Sequence, residues 1–379
     1  MENILKGKNL AIILNTPITS KSMSGGDKIF IKISEILVKK HNFKVTFIGC
    51  PEGIKLVKNS TKVNFKYISL NNISGENRNI FLTYFLRLII IFKVFFIKIK
   101  PSYIISASDF ITDTIPLFLL KIRFRNRVKC FSSMFLRKEF SQIKCLRDLF
   151  FYISQNITLS LSKIFGISIF TNLIDLNFLI SKGFSKRKLK ILPGGIDKFN
   201  LKNLPKKYDS CFVGRISHQK GLDKLLIIWK EAVKIKSDIK LSLIVSGTDA
   251  EISDLKSEIS LLGLSKNIEF LGFLDNKKKY EVIQQSKILL FPSRYESFGI
   301  VVSEALNLEV PVISFELEAL KLNYSAGILY SRDNSEFLKN IFLLLNNPIL
   351  SENLGKEGKK AVKYYSWENI ANKFLIDLV

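Results

Sequence analysis

Two glutamates stand eight positions apart in residues 291–306, one before a predicted helix and one inside it. Glu296 follows the apolar run 287–291, which is typical of a buried parallel strand. Glu304 lies about two helical turns further along. In an open α/β sheet, ligands bind outside the carboxyl ends of the strands, where helix N-termini attract phosphate and sugar oxygens. The spacing therefore allows two carboxylates to contact two parts of one ligand.

A glycine and two cations follow an earlier predicted strand. Gly214 ends that strand, and Arg215 and Lys220 flank the start of the next helix. A guanidinium can bind two oxygens through its fork while an ammonium supplies a point charge, so the pair suits a diphosphate. Standing alone, the segment would equally fit an ordinary charged surface loop.

Together these segments resemble the retaining glycosyltransferases of family 4, which have the two-domain GT-B fold. Glu296 and Glu304 occupy the two acidic positions of the family's E-x7-E signature, and Arg215 and Lys220 match its glycine-arginine and lysine-glycine element. The resemblance implies that Glu296 holds hydroxyls of the donor sugar and Glu304 the ribose of the nucleotide. It also implies that Arg215 and Lys220 bind the diphosphate and stabilise the departing nucleotide, which makes Glu296, Arg215 and Lys220 the expected catalytic residues.

The resemblance extends to the residues around these four. A glycine loop in residues 24–27 opens the first predicted helix, where glycine permits close approach of the backbone, and Asp27 is a candidate cap of that helix. Asp109, at the end of the strand 103–106, is a candidate contact to the acceptor. The residues expected to bind the donor are Gly25, Gly26, Gly214, Arg215, Lys220, Glu296, Ser297, Phe298, Gly299 and Glu304.

Some positions depart from the family pattern. Gly194 replaces the asparagine of the hinge signature, in which Asp197 is expected to have a structural role. Glu309 replaces a glycine after the E-x7-E helix, which we expect to change only the helix exit.

A further departure concerns a histidine near the acceptor. The family often has one after the strand that corresponds to 128–131, whereas this chain has Ser132, Ser133 and Met134, and neither His41 nor His218 is at that place. A histidine-assisted step is therefore in doubt.

Strands alternate with helices in both halves, which implies parallel sheets with crossover connections. Predicted strands are 11–14, 43–48, 63–68, 103–106, 128–131, 168–171, 189–192, 211–214, 240–246, 268–271, 288–291 and 311–314. Helices predicted in the first half are 27–40, 80–99, 115–122 and 148–163. We expect an α/β GT-B fold, two Rossmann-like domains facing each other across a cleft.

The expected domains are an acceptor-binding domain over 1–195 and a nucleotide-sugar-binding domain over 196–362. Residues 193–197 and the polar stretch 198–209 after them are the predicted linker. A C-terminal helix within 363–379 is expected to pack back on the first domain.

Positive charge is concentrated in the first half. Residues 1–200 hold 33 Lys and Arg against 11 Asp and Glu, whereas residues 201–379 hold 25 against 22. An anionic partner is implied, and the absence of a nucleic-acid-binding signature favours the anionic leaflet of a membrane over nucleic acid.

Aromatic residues accompany the charge in segments 81–96, 124–127 and 146–152, which suits a bilayer interface. Arg87, Lys93 and Lys98 interrupt the segment 80–100, and its longest uncharged run falls well short of the roughly 20 residues that a spanning helix needs. Packing in the protein core and contact with a membrane are both possible roles of this segment.

Cys50, Cys130, Cys145 and Cys211 are scattered, which fits a reducing cytoplasm and, with only two histidines in the chain, argues against a zinc site of the Cys/His type. No Asp-x-Asp motif occurs, so we expect no metal and no cofactor beyond the nucleotide-sugar co-substrate.

Two functions fit these observations. One is a metal-independent hexosyltransferase that uses a nucleotide diphosphate sugar, with UDP favoured, and a lipid-linked or cell-envelope polysaccharide acceptor, such as that of lipopolysaccharide. It would act as a cytoplasmic protein, peripheral on the inner face of the plasma membrane. The other is a catalytically silent GT-B subunit that docks an anionic membrane.

Overall fold

The computed structural model of the chain describes residues 7–17, 23–75, 78–143, 145–199 and 204–378, so part of the predicted linker, 200–203, lies outside the described residues. The chain divides into an N-terminal unit, Met1–Gly194 with Trp367–Val379, and a C-terminal unit, Gly195–Ser366. Each unit is built on one parallel sheet. The two parallel-sheet α/β domains predicted from the sequence are thus confirmed.

The N-terminal unit has a seven-stranded sheet in the order β3-β2-β1-β4-β5-β6-β7, with all pairs parallel. The order reverses between β1 and β4, which creates a crevice at their carboxyl ends. The strands are β1 Asn9–Leu14, β2 Lys44–Gly49, β3 Lys66–Ser69, β4 Tyr103–Ser106, β5 Lys129–Ser133, β6 Ser168–Thr171 and β7 Leu189–Ile191. The helices are α1 Gly25–His41, α2 Pro51–Ser60, α3 Ile80–Ile89, α4 Ile111–Phe124, α5 Leu146–Ile164 and α6 Leu173–Ser181.

The C-terminal unit has a six-stranded parallel sheet in the order β10-β9-β8-β11-β12-β13, with the same reversal between β8 and β11. The strands are β8 Tyr208–Arg215, β9 Leu241–Ser246, β10 Ile268–Phe270, β11 Ser286–Phe291, β12 Val312–Phe315 and β13 Ile328–Ser331. The helices are α7 Leu222–Ile235, α8 Asp249–Leu261, α9 Asn276–Gln284, α10 Ile300–Asn307, α11 Glu318–Asn323, α12 Asn334–Asn346 and α13 Pro348–Val362.

The last helix, α14, covers Trp367–Leu378 and belongs to the N-terminal unit. It starts after residue 363 because Lys363–Tyr365 form a 3-10 turn. The backbone N–H of Ile196 donates to the Tyr365 carbonyl, 2.8 Å away, and this bond keeps the segment before α14 in the C-terminal unit. Within the N-terminal unit, the Phe374 ring stacks 5.2 Å from that of Phe170.

In the described chain, one predicted helix was too long and three short elements were missed. The helix predicted over 80–99 ends at Ile89 and continues as a 3-10 helix, Ile90–Phe96, in a run of β-branched isoleucines that disfavours the α-helix. The short elements α2, α6 and β13 escaped the prediction because brief apolar runs do not separate helix from strand.

The described residues include no helix whose length and apolar character would let it cross a membrane. Each of the four cysteines is free; Cys50, Cys130 and Cys211 are buried and Cys145 is exposed.

Candidate functional site

The structure brings Lys220 and Glu296 together at the strand-order reversal of the C-terminal unit. β8 and β11 are adjacent and parallel, so the residues after both strands lie at one edge of the sheet. Lys220 Nζ lies 2.5 Å from Glu296 Oε2, and the two side chains are only 18% and 12% exposed. A lysine from one strand end and a carboxylate from the other therefore form one partly buried ion pair.

A glycine between the two loops makes this approach possible. Gly221 has φ +67°, and a Cβ there would lie 2.0 Å from the Pro292 carbonyl oxygen, so only glycine fits between the two loops. A Cβ on Gly214 would lie 3.1 Å from Phe212 Cζ and 3.5 Å from Lys220 Cγ. The tight contact of such a Cβ would be with the Phe212 ring, whereas its distance to Lys220 is an ordinary van der Waals distance.

Polar contacts clamp the two loops to each other. Arg294 Nη1 donates to the His218 carbonyl at 2.7 Å, and its guanidinium binds Asp223 through two bonds of 2.8 and 2.6 Å. The hydrogen bond from Arg294 lowers the pKa of Asp223. Gln219 Nε2 donates to the Tyr295 carbonyl at 3.1 Å. The loop that carries Lys220 is therefore held in place before any ligand arrives.

Arg215 ends β8 and is exposed. Its guanidinium makes no hydrogen bond or ion pair with the part of the chain that the structure describes. An exposed, uncommitted guanidinium at a strand end can bind an incoming anion without breaking an internal bond.

Glu304 occupies a separate, more deeply buried position on α10. Its side chain is 2% exposed, and Oε2 lies 2.6 Å from Lys279 Nζ. The Tyr280 hydroxyl lies 3.1 Å from Glu304 Oε1 and 2.8 Å from Asp197 Oδ2. Burial, followed by the charges of Glu304 and Asp197, raises the pKa of Tyr280, so the phenol keeps its proton.

Lys279 and Tyr280 are functional candidates that the sequence analysis missed. They lie on α9, and nothing in their own segment indicated that they reach Glu304. Asp197, for which a structural role was expected, contacts the Tyr280 hydroxyl and so belongs to the group of side chains around Glu304. Ser217 and Ser293, in the loops after β8 and β11, are also new candidates: their buried hydroxyl oxygens have no hydrogen-bond partner among the described residues.

The residues between the two glutamates contribute mainly through their backbone. Ser297 N–H donates to Glu296 Oε1 at 3.2 Å. The Phe298 ring is 7% exposed and lies 4.9 Å from the Tyr365 ring, so its side chain is a packing group. Gly299 has φ +77° at the start of α10, and its carbonyl accepts from the Tyr324 hydroxyl at 3.1 Å.

The glycine loop of the N-terminal unit opens α1. Ser24 Oγ accepts from the Asp27 N–H and the Asp27 carboxylate accepts from the Ser24 N–H, which forms a capping box. Ser24 is thus the N-cap and Asp27 its reciprocal partner. A Cβ on Gly26 would lie 3.2 Å from Phe135 Cδ2 and 3.6 Å from the Ala107 carbonyl oxygen, which places this glycine beside the end of β4.

Asp109 follows β4 and is 8% exposed. Gln155 Nε2 donates to its Oδ2 at 2.5 Å. Burial raises the pKa of Asp109 to about 6. A nearby carboxyl is buried still more deeply: Asp113 Oδ1 accepts from the Asn15 N–H at 2.6 Å, and burial raises the pKa of Asp113 to about 7.

Asp113→Asn is expected to flatten the pH dependence of the stability of the N-terminal unit. Because its pKa is about 7 in the folded state, Asp113 holds its proton up to about that pH, whereas the ordinary aspartate pKa of 3.8 applies in the unfolded chain. The contribution of Asp113 to the free energy of unfolding is therefore present at low pH and is lost as pH rises through about 7. Between pH 5 and pH 8 the loss is on the order of 3 kcal/mol. Urea unfolding of wild type and variant at both pH values measures the difference. Glu368→Gln, at an exposed ion pair with Lys40, is the control; equal pH slopes for wild type and Asp113→Asn would contradict the assignment.

The departures from the family pattern have local structural consequences. Glu309 has φ +57°, a conformation that glycine adopts without strain, and Lys359 Nζ binds its Oε1 at 2.8 Å. At the position of the family histidine, Ser133 Oγ donates to the Ser106 carbonyl at 2.7 Å and Met134 is 1% exposed. Buried packing residues therefore occupy that place.

Known proteins resemble this chain in its C-terminal half and in its fold. The family model of glycosyl transferases group 1 matches residues 196–361. The amylovoran biosynthesis glycosyltransferase AmsD of Erwinia amylovora is 28% identical over 209 residues, 52% of this chain and 55% of that protein. The chain spans about half the length of the curated relatives that it matches.

Solved structures are similar over the whole chain. TarM of S. aureus, in complex with fondaparinux, α-GlcNAc-glycerol and UDP, has a TM-score of 0.74 at 11% identity, covering 98% of this chain and 99% of that one. HepE of Anabaena, in complex with UDP-glucose, has a TM-score of 0.73 at 13% identity, with coverage of 98% and 99%. At such identities the likeness concerns the fold. Residues 196–361 thus match the glycosyl transferases group 1 family, and the two α/β units are those of the GT-B fold.

Proposed function

We propose that the chain is a retaining hexosyltransferase of the family 4 type that uses a nucleotide diphosphate sugar, with UDP as the nucleotide. The observation that carries this proposal is the joining of Lys220 and Glu296 across the ends of β8 and β11, beside the exposed Arg215. Cations at a crevice of this type suit a diphosphate, and an adjacent carboxylate suits sugar hydroxyls. UDP or UDP-glucose is bound in TarM and HepE, which supports UDP here.

In the proposed reaction, the acceptor hydroxyl oxygen bonds to the anomeric carbon on the face from which the diphosphate leaves. The bond between that carbon and the diphosphate oxygen breaks, and the diphosphate takes the acceptor's proton. Arg215 and Lys220 stabilise the charge that develops on the diphosphate. An ammonium has three donors, so Lys220 can bind a phosphate oxygen while it keeps a bond to Glu296. With two cations on the diphosphate, no metal and no further cofactor is proposed.

We propose a lipid-linked or cell-envelope glycan as the acceptor and Asp109 as a residue that contacts it. Relatives in polysaccharide biosynthesis, such as AmsD, support this class. The chain would then act on the inner face of the plasma membrane.

Glu304→Gln is expected to weaken UDP binding about tenfold or more, because a charge-assisted hydrogen bond contributes about 1.5–3 kcal/mol. Glu296→Gln is expected to leave UDP affinity nearly unchanged and to lower the hydrolysis of UDP-glucose. The separate positions of the two carboxylates, one with Lys279 and Tyr280 and one with Lys220, are the reason. Isothermal titration with UDP, GDP and ADP measures affinity and base preference, and UDP release from UDP-glucose measures turnover.

The control for both variants is Glu316→Gln, at an exposed ion pair of the same unit. Equal loss of UDP affinity in Glu296→Gln and Glu304→Gln would contradict the division of roles. Absence of binding by all three nucleotides in the wild type would contradict the proposed donor class.

A second candidate is a catalytically silent GT-B subunit, which the buried Ser133 and Met134 at the place of the family histidine favour. It predicts UDP binding without any UDP release from UDP-glucose. The same two measurements therefore separate it from the transferase.

A further inference from the structure

Helix α3 of the N-terminal unit is inverted relative to the usual pattern of a surface helix, because it buries polar groups and exposes apolar ones. Thr83 and Arg87 are 0% exposed, and Arg87 forms an internal ion pair with Glu52. We call the outward side of α3 and the following 3-10 helix the aromatic face. Its residues, 38% to 83% exposed, are Phe81, Leu82, Phe85, Ile89, Phe92 and Phe96.

Helix α5 lies beside α3 and is inverted in the same way. The Phe150 ring of α5 lies 6.0 Å from the Phe81 ring. α5 buries Ser154, Gln155, Thr158 and Ser162 and exposes Leu146, Leu149, Ile153, Ile157 and Ile164. Hydrogen bonds hold the polar side inward: Ser154 Oγ accepts from the Ile111 N–H at 2.8 Å, and Thr158 Oγ1 donates to the Asp109 carbonyl at 2.9 Å. The outward apolar side chains cannot turn inward without breaking these bonds.

Within its own segment, the aromatic face is accompanied by positive charge alone. Residues 78–100 contain five basic residues and no acidic one. Arg87 is internal, whereas the exposed members are Arg78, Lys93, Lys98 and Lys100. Apolar aromatic groups with exposed lysines and arginines around them match the acyl and headgroup layers of an anionic lipid surface.

We propose that the aromatic face and its flanking bases dock the chain on an anionic lipid bilayer. The phenylalanines enter the interface and the bases bind lipid headgroups. A second copy of the chain fits less well, because two such faces would bring like charges together. The docking requires neither the donor site nor its chemistry, so it is independent of the proposed function.

The test uses the full chain and sedimentation with vesicles of phosphatidylglycerol or of phosphatidylcholine. We expect binding to phosphatidylglycerol at low salt, much weaker binding to phosphatidylcholine, and release at high salt. Phe85→Ser with Phe92→Ser should lower binding at least about tenfold. Lys93→Glu with Lys98→Glu should lower it at least about 25-fold, since each base near such a surface contributes about fivefold.

The matched control is Ile235→Ser with Leu261→Ser, two apolar side chains of the C-terminal unit that are 63% and 87% exposed. It should bind as wild type does. Unchanged binding by the Phe85 and Phe92 variant, or wild-type protein that stays in the supernatant with phosphatidylglycerol at low salt, would overturn the proposal. Retention on polyuridylate without vesicle binding would assign the aromatic face to nucleic acid. A dimer that forms without vesicles and is abolished in the Phe85 and Phe92 variant would assign it to a second copy of the chain. UDP titration without vesicles reports on the donor site separately.

Discussion

Arg87→Met is expected to lower the free energy of unfolding of the N-terminal unit by about 3–5 kcal/mol, the usual loss when one partner of a buried ion pair is removed. Arg87 is 0% exposed, and its Nη2 lies 2.7 Å from Glu52 Oε2. Its Nη1 also donates to the carbonyls of Asn15, at 3.1 Å, and Pro17, at 2.7 Å. The substitution leaves the buried Glu52 carboxylate without its ion-pair partner and removes the guanidinium donor from both carbonyls.

The two tryptophans allow the measurement to be made on one unit. Trp367 lies in the N-terminal unit and Trp229 is buried in the C-terminal unit. In a Trp229→Phe background, the fluorescence of Trp367 during urea unfolding reports the N-terminal unit. Lys93→Met, an exposed cation of the neighbouring 3-10 helix, is the control and should change stability by less than about 0.5 kcal/mol.

A double substitution separates the charge from the packing. Glu52→Leu with Arg87→Met should cost less than the sum of the two single changes, because no unpaired carboxylate remains. Additive losses, or an Arg87→Met midpoint equal to that of the control, would contradict the assigned ion pair.

Lys220→Ala and Arg215→Ala are each expected to lower the turnover of UDP-glucose about 10- to 150-fold. Each removes a charge-assisted contact to the proposed diphosphate, worth about 1.5–3 kcal/mol. The structure distinguishes the two variants. Lys220 is paired with the 12% exposed Glu296, so Lys220→Ala should also lower the melting temperature, whereas the exposed Arg215 should leave it unchanged.

Initial rates of UDP release and thermal unfolding of the same samples measure both effects. The control is Lys234→Ala on α7, where the lysine is 62% exposed and pairs with a neighbour on the same helix, Glu231. Wild-type turnover in both site variants would place the diphosphate elsewhere, and a lowered melting temperature for Arg215→Ala alone would contradict the pairing.

Local sequence was sufficient for the sheet framework and for the positions of the motif residues. Residues 288–291 of β11 are apolar because both faces of a parallel sheet are covered, and the loop after the strand carries Glu296. Gly221 and Gly299 mark the turns at which the backbone takes positive φ. These features depend on neighbours in the chain, and a pattern of a few residues therefore reveals them.

Contacts between distant segments determined the pairing of the site residues and the orientation of the segment 80–100. Lys220 and Glu296 are 76 positions apart, and Glu304 meets Lys279 only because α9 and α10 pack together. The segment 80–100 could be core or surface by its composition. Its orientation follows from the internal pairing of Arg87 with Glu52, which turns the polar side of α3 inward and the aromatic face outward. Sequence periodicity gives the sides of a helix, but which side is buried depends on the partners that the fold brings to it.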